Sequence, residues 1–192
     1  MESLYTFKEK VIKFLMKIVM SVIIKLRLYR AFWEIIAFLA PEKGLAWLSK
    51  TNIEEWGRRD ANKILKAIIR HLPNTDLKKV VVLDYGCGIG RVAKYVAPKV
   101  GKVICADVSK NYLEKARTHL REFNNIEYLR VNGEDLRKLP SEIIDCVYSI
   151  GIFVHINKQD SLNLFREINR VLKRGGLFIV DLPRPGAKMA VI

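Results

Sequence analysis

A chain of 192 residues, half of them hydrophobic, suits one α/β domain with an attached N-terminal segment and excludes a disordered or fibrous protein. The net charge of +14 admits nucleic acid, an anionic membrane surface or a solvated Lys-rich surface; because the excess is spread along the chain, the last reading leads. Cys87, Cys105 and Cys146 have no metal-ligand spacing, so they indicate reduced, intracellular thiols, a cytoplasmic location and no metal site.

Residues 1–50 read as a basic amphipathic helical extension. Val11, Leu15, Ile18 and Val22 recur on one helical face, and Lys10, Lys13, Lys17 and Ser21 on another, within a stretch predicted helical from Leu4 to Leu39. The longest uncharged run between Lys17 and Lys25 is Ile18–Ile24, too short for a spanning helix, and no small-residue cleavage site follows. Such a segment either lies on a membrane surface, through residues 1–40, or packs over a cleft or against a second copy of the chain. Pro41 and Gly44 break the pattern.

Residues 51–192 form the predicted domain. A helix is expected from Ile53 or Glu54 to His71, capped by Asn52, with Ile64, Leu65, Ile68, Ile69 and Leu72 as its apolar stripe. Val80–Leu83 is a β-branched run, as in a strand buried on both faces, and a helix near Arg91–Ala97 follows. Further strands are expected at Val103–Ala106, Ile126–Val131, Ile143–Ile150 and Leu177–Leu182, with helices at Lys110–Phe123 and Gln159–Leu172, the last closed by Gly175-Gly176. This alternation predicts a doubly wound, mostly parallel α/β sheet with right-handed crossovers.

Ligands of such a sheet bind beyond the carboxyl ends of the strands. The turn Asp84-Tyr85-Gly86-Cys87-Gly88-Ile89-Gly90 lies there, and its glycines permit close approach of the backbone. Arg91 stands where a dinucleotide fingerprint has its third glycine, and Asp84 is poorly placed beside a pyrophosphate. A ligand with a positive amino group and a sulfonium suits this turn better. Asp107, ending the second strand, is positioned to accept ribose hydroxyls; capping of the next helix by Asp107 or Ser109 is compatible with that role.

"VVLDYGCGIGRV" (81–92), "ICADVSKNYLEKAR" (104–117), "VNGEDLRKLP" (131–140), "IIDCVYSIGIFVHI" (143–156) and "REINRVLKRGGLFIVD" (166–181) together resemble the motifs of class I S-adenosylmethionine-dependent methyltransferases, in order and spacing. The resemblance covers roughly residues 55–182 and implies a Rossmann-like methyltransferase fold with S-adenosylmethionine as cofactor. It implies that Asp84 and the backbone of Gly86, Cys87 and Gly88 face the methionine moiety, that Asp107 holds the ribose with Val108 against the adenine, and that Gly133, Glu134 and Asp135 lie near the adenine edge. Ser149, Ile150 and Gly151 would line the floor of the cofactor site. Arg91 either contacts the cofactor carboxylate or faces solvent, and Trp56 either packs in the core or closes over the cofactor.

His155 is the candidate base, with packing or capping as the other reading. The chain lacks an Asn/Asp-Pro-Pro-Tyr-like motif after the fourth strand and a Pro-Cys context, so no specific nucleic-acid binding is expected; the expected acceptor is a small or lipid-like molecule. An RNA or protein acceptor, or a non-catalytic cofactor-binding domain, is the alternative. The family usually adds an antiparallel strand pair after the fifth strand, and Pro183–Ile192 is too short for one: either the sheet is truncated or the chain is a fragment, and the fifth strand is expected to leave an unpaired edge unless a partner chain covers it.

Overall fold

The computed structural model describes residues 22–23, 28–39, 52–182 and 190–191. The predicted helix before residue 22, Pro41 and Gly44 lie outside the described residues. In chain order the elements are α1 (Tyr29–Leu39), α2 (Ile53–His71), β1 (Val81–Tyr85), α3 (Ala93–Val96), β2 (Lys102–Asp107), α4 (Lys110–His119), β3 (Ile126–Arg130), β4 (Ile144–Ser149), α5 (Lys158–Val171), β5 (Leu172–Val180) and β6 (Ala190–Val191).

The sheet has the order β3-β2-β1-β4-β5-β6. β1 to β5 are parallel, and β6 pairs antiparallel with Ile179 and Val180 of β5, so the end of the β5 edge expected to be unpaired is covered by residues 190–191 of the chain itself. Strand order reverses between β1 and its two neighbours β2 and β4, which puts the crevice at the carboxyl end of β1.

Both sheet faces are covered, so alternate side chains of each strand enter two different cores. Val82, Val103, Cys105, Cys146 and Tyr148 pack with Ile64 and Ile68 of α2 and with Leu113 of α4. Leu83, Tyr85, Ile104 and Val147 pack on the opposite face with Leu164 and Ile168 of α5. All three cysteines are free and buried.

Local chemistry sets the helix starts. Asn52 accepts a hydrogen bond from the Glu54 amide, Ser109 from that of Tyr112 and Asn157 from that of Asp160. Ile69, predicted to face the core, is instead 56% exposed, because the inward face of α2 runs through Gly57, Ala61, Ile64 and Ile68. Gly175-Gly176 does not close a helix. α5 ends at Val171 and β5 begins at once; Leu172 pairs with Ile144 and Leu177 with Cys146, so residues 173–176 form a bulge opposite the single residue Asp145. Gly175 supplies the positive φ of 74° there, and a Cβ on Gly176 would crowd the Lys173 and Asp145 carbonyls.

Candidate cofactor site

The site begins where β1 runs out. The Gly86 and Cys87 amides donate to the Ala106 carbonyl at 2.8 and 3.0 Å, folding the turn back onto the end of β2. Gly86, Gly88 and Gly90 all have positive φ (81°, 54° and 80°), which explains three glycines in five residues. A Cβ on Gly86 or Gly90 would also strike Ile152 or Leu120, whereas the same position on Gly88 opens onto empty space. Gly88 is therefore the place where a ligand can approach the backbone.

Two carboxylates flank this turn. Asp107 accepts from the Gly88 amide at 2.8 Å through one oxygen and from the Ser109 amide at 2.9 Å through the other. Each oxygen keeps a lone pair for a further donor. Burial pushes its carboxyl up to about 6, against the pull of those amides. Asp84 is buried and accepts from the Tyr148 hydroxyl at 2.9 Å, a bond made available because Asp84 of β1 lies in register with Tyr148 of β4. Burial pushes the Asp84 carboxyl up to about 7, with the Tyr148 hydroxyl and the Arg91 charge opposing.

The other walls come from neighbouring loops. A Cβ on Gly133 would lie 3.2 Å from the Val108 side chain, so the loops after β2 and β3 meet at these residues. Asn132 shapes the second of them by accepting from the Glu134 and Asp135 amides. The Asp135 carboxylate is engaged by Arg137 and Asn132, and Arg137 holds it below the usual carboxylate range; Glu134 is exposed. After β4, Ser149 is fully buried and Gly151 has a φ of 76°, its amide donating to both oxygens of Asp181 at 2.8 and 2.9 Å.

Arg91 is not a solvent-facing helix residue. Its side chain is three-quarters covered and donates to the buried Asp60 of α2 at 2.9 Å. Gly57, one turn earlier in α2, lets the helix lie directly against the turn: a Cβ there would sit 2.2 Å from the Arg91 carbonyl oxygen. Trp56 stands in the first turn of α2, half-buried.

α1 crosses the carboxyl edge from the β4 side to the β2 side. At its start, Tyr29 donates to Asp160 at 2.5 Å and Asn157 donates to Tyr29 at 2.7 Å. Trp33 then packs edge-on against His155, with ring centroids 5.0 Å apart. Glu34 accepts from the Ser109 hydroxyl and lies beside Arg130, and Lys115 donates to the Ala37 carbonyl. His155 lies in a short 3-10 turn, Phe153–His155, where burial lowers its pKa to about 4, so it is neutral at physiological pH.

The structure thus gathers Asp84, Gly86, Cys87, Gly88 and Asp107 around one turn, with Val108 and Gly133 in contact beside it. His155 is placed under α1. Sequence reasoning missed Tyr148, Asp60, Asp181 and Glu34. Each meets its partner across 30 or more positions of chain, and only for Tyr148 was there a signal, an aromatic hydroxyl near the carboxyl end of a strand beside β1.

Residues 83–180 match the methyltransferase domain family. The chain belongs to that family. Methyltransferase GfsG of Streptomyces halstedii is 35% identical over 105 residues, which cover 53% of this chain and 37% of the relative. The ubiquinone/menaquinone biosynthesis C-methyltransferase UbiE of Hahella chejuensis is 34% identical over 111 residues, covering 54% of this chain and 43% of the relative. A crystal structure of a SAM-dependent methyltransferase from Aquifex aeolicus superposes with a TM-score of 0.53 at 25% identity, over 63% of this chain and 62% of that one. The methyltransferase domain described here spans less than half the length of either curated relative.

Proposed function

We propose that this methyltransferase domain binds S-adenosylmethionine and transfers its methyl group to a small or lipid-like acceptor by in-line displacement. The observation that carries the reading is the pair of buried carboxylates, Asp84 and Asp107, on either side of a glycine turn whose Gly88 backbone is open to a ligand. Anionic walls suit a ribose and a cationic amino acid and repel a phosphate. When bound, the cofactor supplies a methyl group on a good leaving group, so the protein's task is alignment and exclusion of water.

In this reading Asp107 receives the ribose hydroxyls, Asp84 and the Gly86–Gly88 backbone face the methionine moiety, and Val108, Gly133, Glu134 and Asp135 border the adenine. Ser149, Ile150 and Gly151 form the floor. Arg91 is held by Asp60, which leaves its remaining guanidinium N–H groups for the cofactor carboxylate. His155, neutral and beside Trp33, accepts a proton if the acceptor arrives protonated. Residues 51–192 carry this activity. Residues 1–50 bring the domain to a membrane surface from the cytoplasm, or to a second copy of the chain. The contact proposed is peripheral; among the described residues no helix is long and apolar enough to cross a membrane.

Titration calorimetry with S-adenosylmethionine tests the reading. Binding at one site, weakened at least tenfold by Asp107→Ala, is the expected result. Absence of binding, or binding indifferent to Asp107→Ala, overturns it.

A further inference from the structure

Next to the adenine border of the proposed cofactor site, with which it shares Asp135, a cavity of about 280 Å³ opens between α1 and the loop after β3, lined by Arg30, Arg130, Arg137 and Lys138. Asp135 is engaged by Arg137 at 2.8 Å and by Asn132 at 2.9 Å, so those two charges are matched. Arg30, Arg130 and Lys138 line the opening as well, from two segments far apart in sequence; Arg130 is paired with Glu34, so Arg30 and Lys138 are the cations for which no carboxylate partner is seen among the described residues. Lys138 is steered into place by the Arg130 carbonyl at 3.0 Å, and Arg130 lies 3.9 Å from Glu34 of α1. All three are exposed. Cations brought together around a concave opening repel one another, and an anion with several acceptor oxygens relieves that repulsion.

The outer face of the same helix is apolar. Leu28, just before α1, and Ile35 and Phe38 within it are 48%, 56% and 76% exposed, and with exposed Ala31 they fall on one helical stripe. Tyr29, Trp33 and Ala37 face the domain instead, and Arg30 and Glu34 lie along the border between the two faces. An exposed apolar stripe bordered by cations is the arrangement of a helix lying in a lipid interface.

We propose that the Arg30–Arg130–Lys138 pocket binds the phosphate of an anionic membrane lipid while Leu28, Ile35 and Phe38 rest in the lipid surface. The inference rests on the membrane contact proposed above and gives it a binding site. A lipid phosphate is chosen over a free one because the pocket and the apolar stripe share one helix, and the chain's charge of +14 favours an anionic surface. The site would hold the domain with its carboxyl edge toward the membrane, where a lipid-like acceptor resides.

The test is co-sedimentation of the full chain with vesicles of phosphatidylcholine alone and of equal parts phosphatidylcholine and phosphatidylglycerol. Binding to the anionic vesicles is expected to fall on the order of a hundredfold in Arg30→Gln/Arg130→Gln/Lys138→Gln, at about fivefold per charge. The control Arg70→Gln/Lys79→Gln/Lys99→Gln removes the same charge from exposed positions toward the amino edge of the sheet and is expected to bind much as the parent does. Affinity for S-adenosylhomocysteine should be unchanged in both variants, which also shows that they fold. Equal losses in the two variants would reduce the contact to diffuse charge and overturn the proposal, as would a parent chain that ignores anionic vesicles. So would loss of S-adenosylhomocysteine binding in the pocket variant alone, which would make the pocket part of the cofactor site. Calorimetric binding of inorganic phosphate that the pocket variant loses, with vesicle binding intact, would assign the pocket to a soluble phosphate and overturn the lipid.

Discussion

Asp84 combines two opposed demands. Its carboxyl sits in the core beneath the turn, where burial raises it to about 7, yet the proposed ligand needs it charged. The folded protein therefore binds a proton here that the unfolded chain has already released above the ordinary carboxyl range. Stability contributed by this group is lost as pH rises toward 7. Asp84→Asn removes that penalty while keeping an oxygen for the Tyr148 hydroxyl. We expect the variant to melt several degrees higher than the parent at pH 8 without ligand, with the gap closing toward pH 5, and to lose at least tenfold in cofactor affinity. Thermal melts at the two pH values and calorimetry check both halves. A variant less stable than the parent at pH 8 would show that the ionised carboxylate is better solvated than its burial implies.

At the scale of elements, the sheet was legible because each strand is a short apolar run and each turn carries its own punctuation. Val81–Tyr85, Lys102–Asp107, Ile126–Arg130 and Ile144–Ser149 fall within a residue or two of the expected spans, and Asn52 and Ser109 cap the helices they were read to cap. The Gly175-Gly176 bulge was misread because a glycine pair after a helix has the same local chemistry whether it ends the helix or interrupts the next strand; only pairing with β4 distinguishes them. The Arg91–Asp60 pair was not legible for a similar reason, since Asp60 lies 31 positions earlier on another element. The approach of α2 to the turn is equally non-local, and Gly57 makes it measurable. Alanine favours a helix interior over glycine by about 1 kcal/mol, but the added methyl would meet a backbone carbonyl that cannot rotate away, and overpacking costs about 1–3 kcal/mol. The clash wins. Gly57→Ala is expected to lower stability by up to about 2 kcal/mol in urea denaturation, with weakened cofactor binding because the turn shifts; a stabilised variant would mean that α2 is not pressed against Arg91.

For the molecule as a whole, the buried titratable groups set a pH profile. Asp84 and Asp107 hold protons up to about 7 and about 6, so both reduce stability as pH climbs out of the ordinary carboxyl range. Asp181, raised by burial as well, adds to that fall. His155 works in the opposite sense: with its pKa at about 4 it stays neutral when folded, and folding gains as pH rises from there to the ordinary histidine value. Two carboxyls against one imidazole leave a net fall of about 1.4 kcal/mol per pH unit between roughly pH 4 and 6. On the acid side Glu54, Asp135 and Glu167 are held low by Tyr95, Arg137 and Arg170, so their contribution disappears as pH drops through the carboxylate range. The two slopes meet in mild acid. The ligand-free protein is therefore expected to melt highest near about pH 4 and to lose stability toward neutrality. A cationic ligand beside Asp84 lowers that carboxyl's pKa, so saturating S-adenosylmethionine should flatten the fall and move the optimum toward pH 7, with protons released on binding. Circular dichroism melts across pH, with and without ligand, measure the shift. A ligand-free profile that rises steadily from pH 5 to 8 would mean that neither carboxylate is protonated when the turn is empty, and would remove the electrostatic coupling between the cofactor site and the stability of the fold.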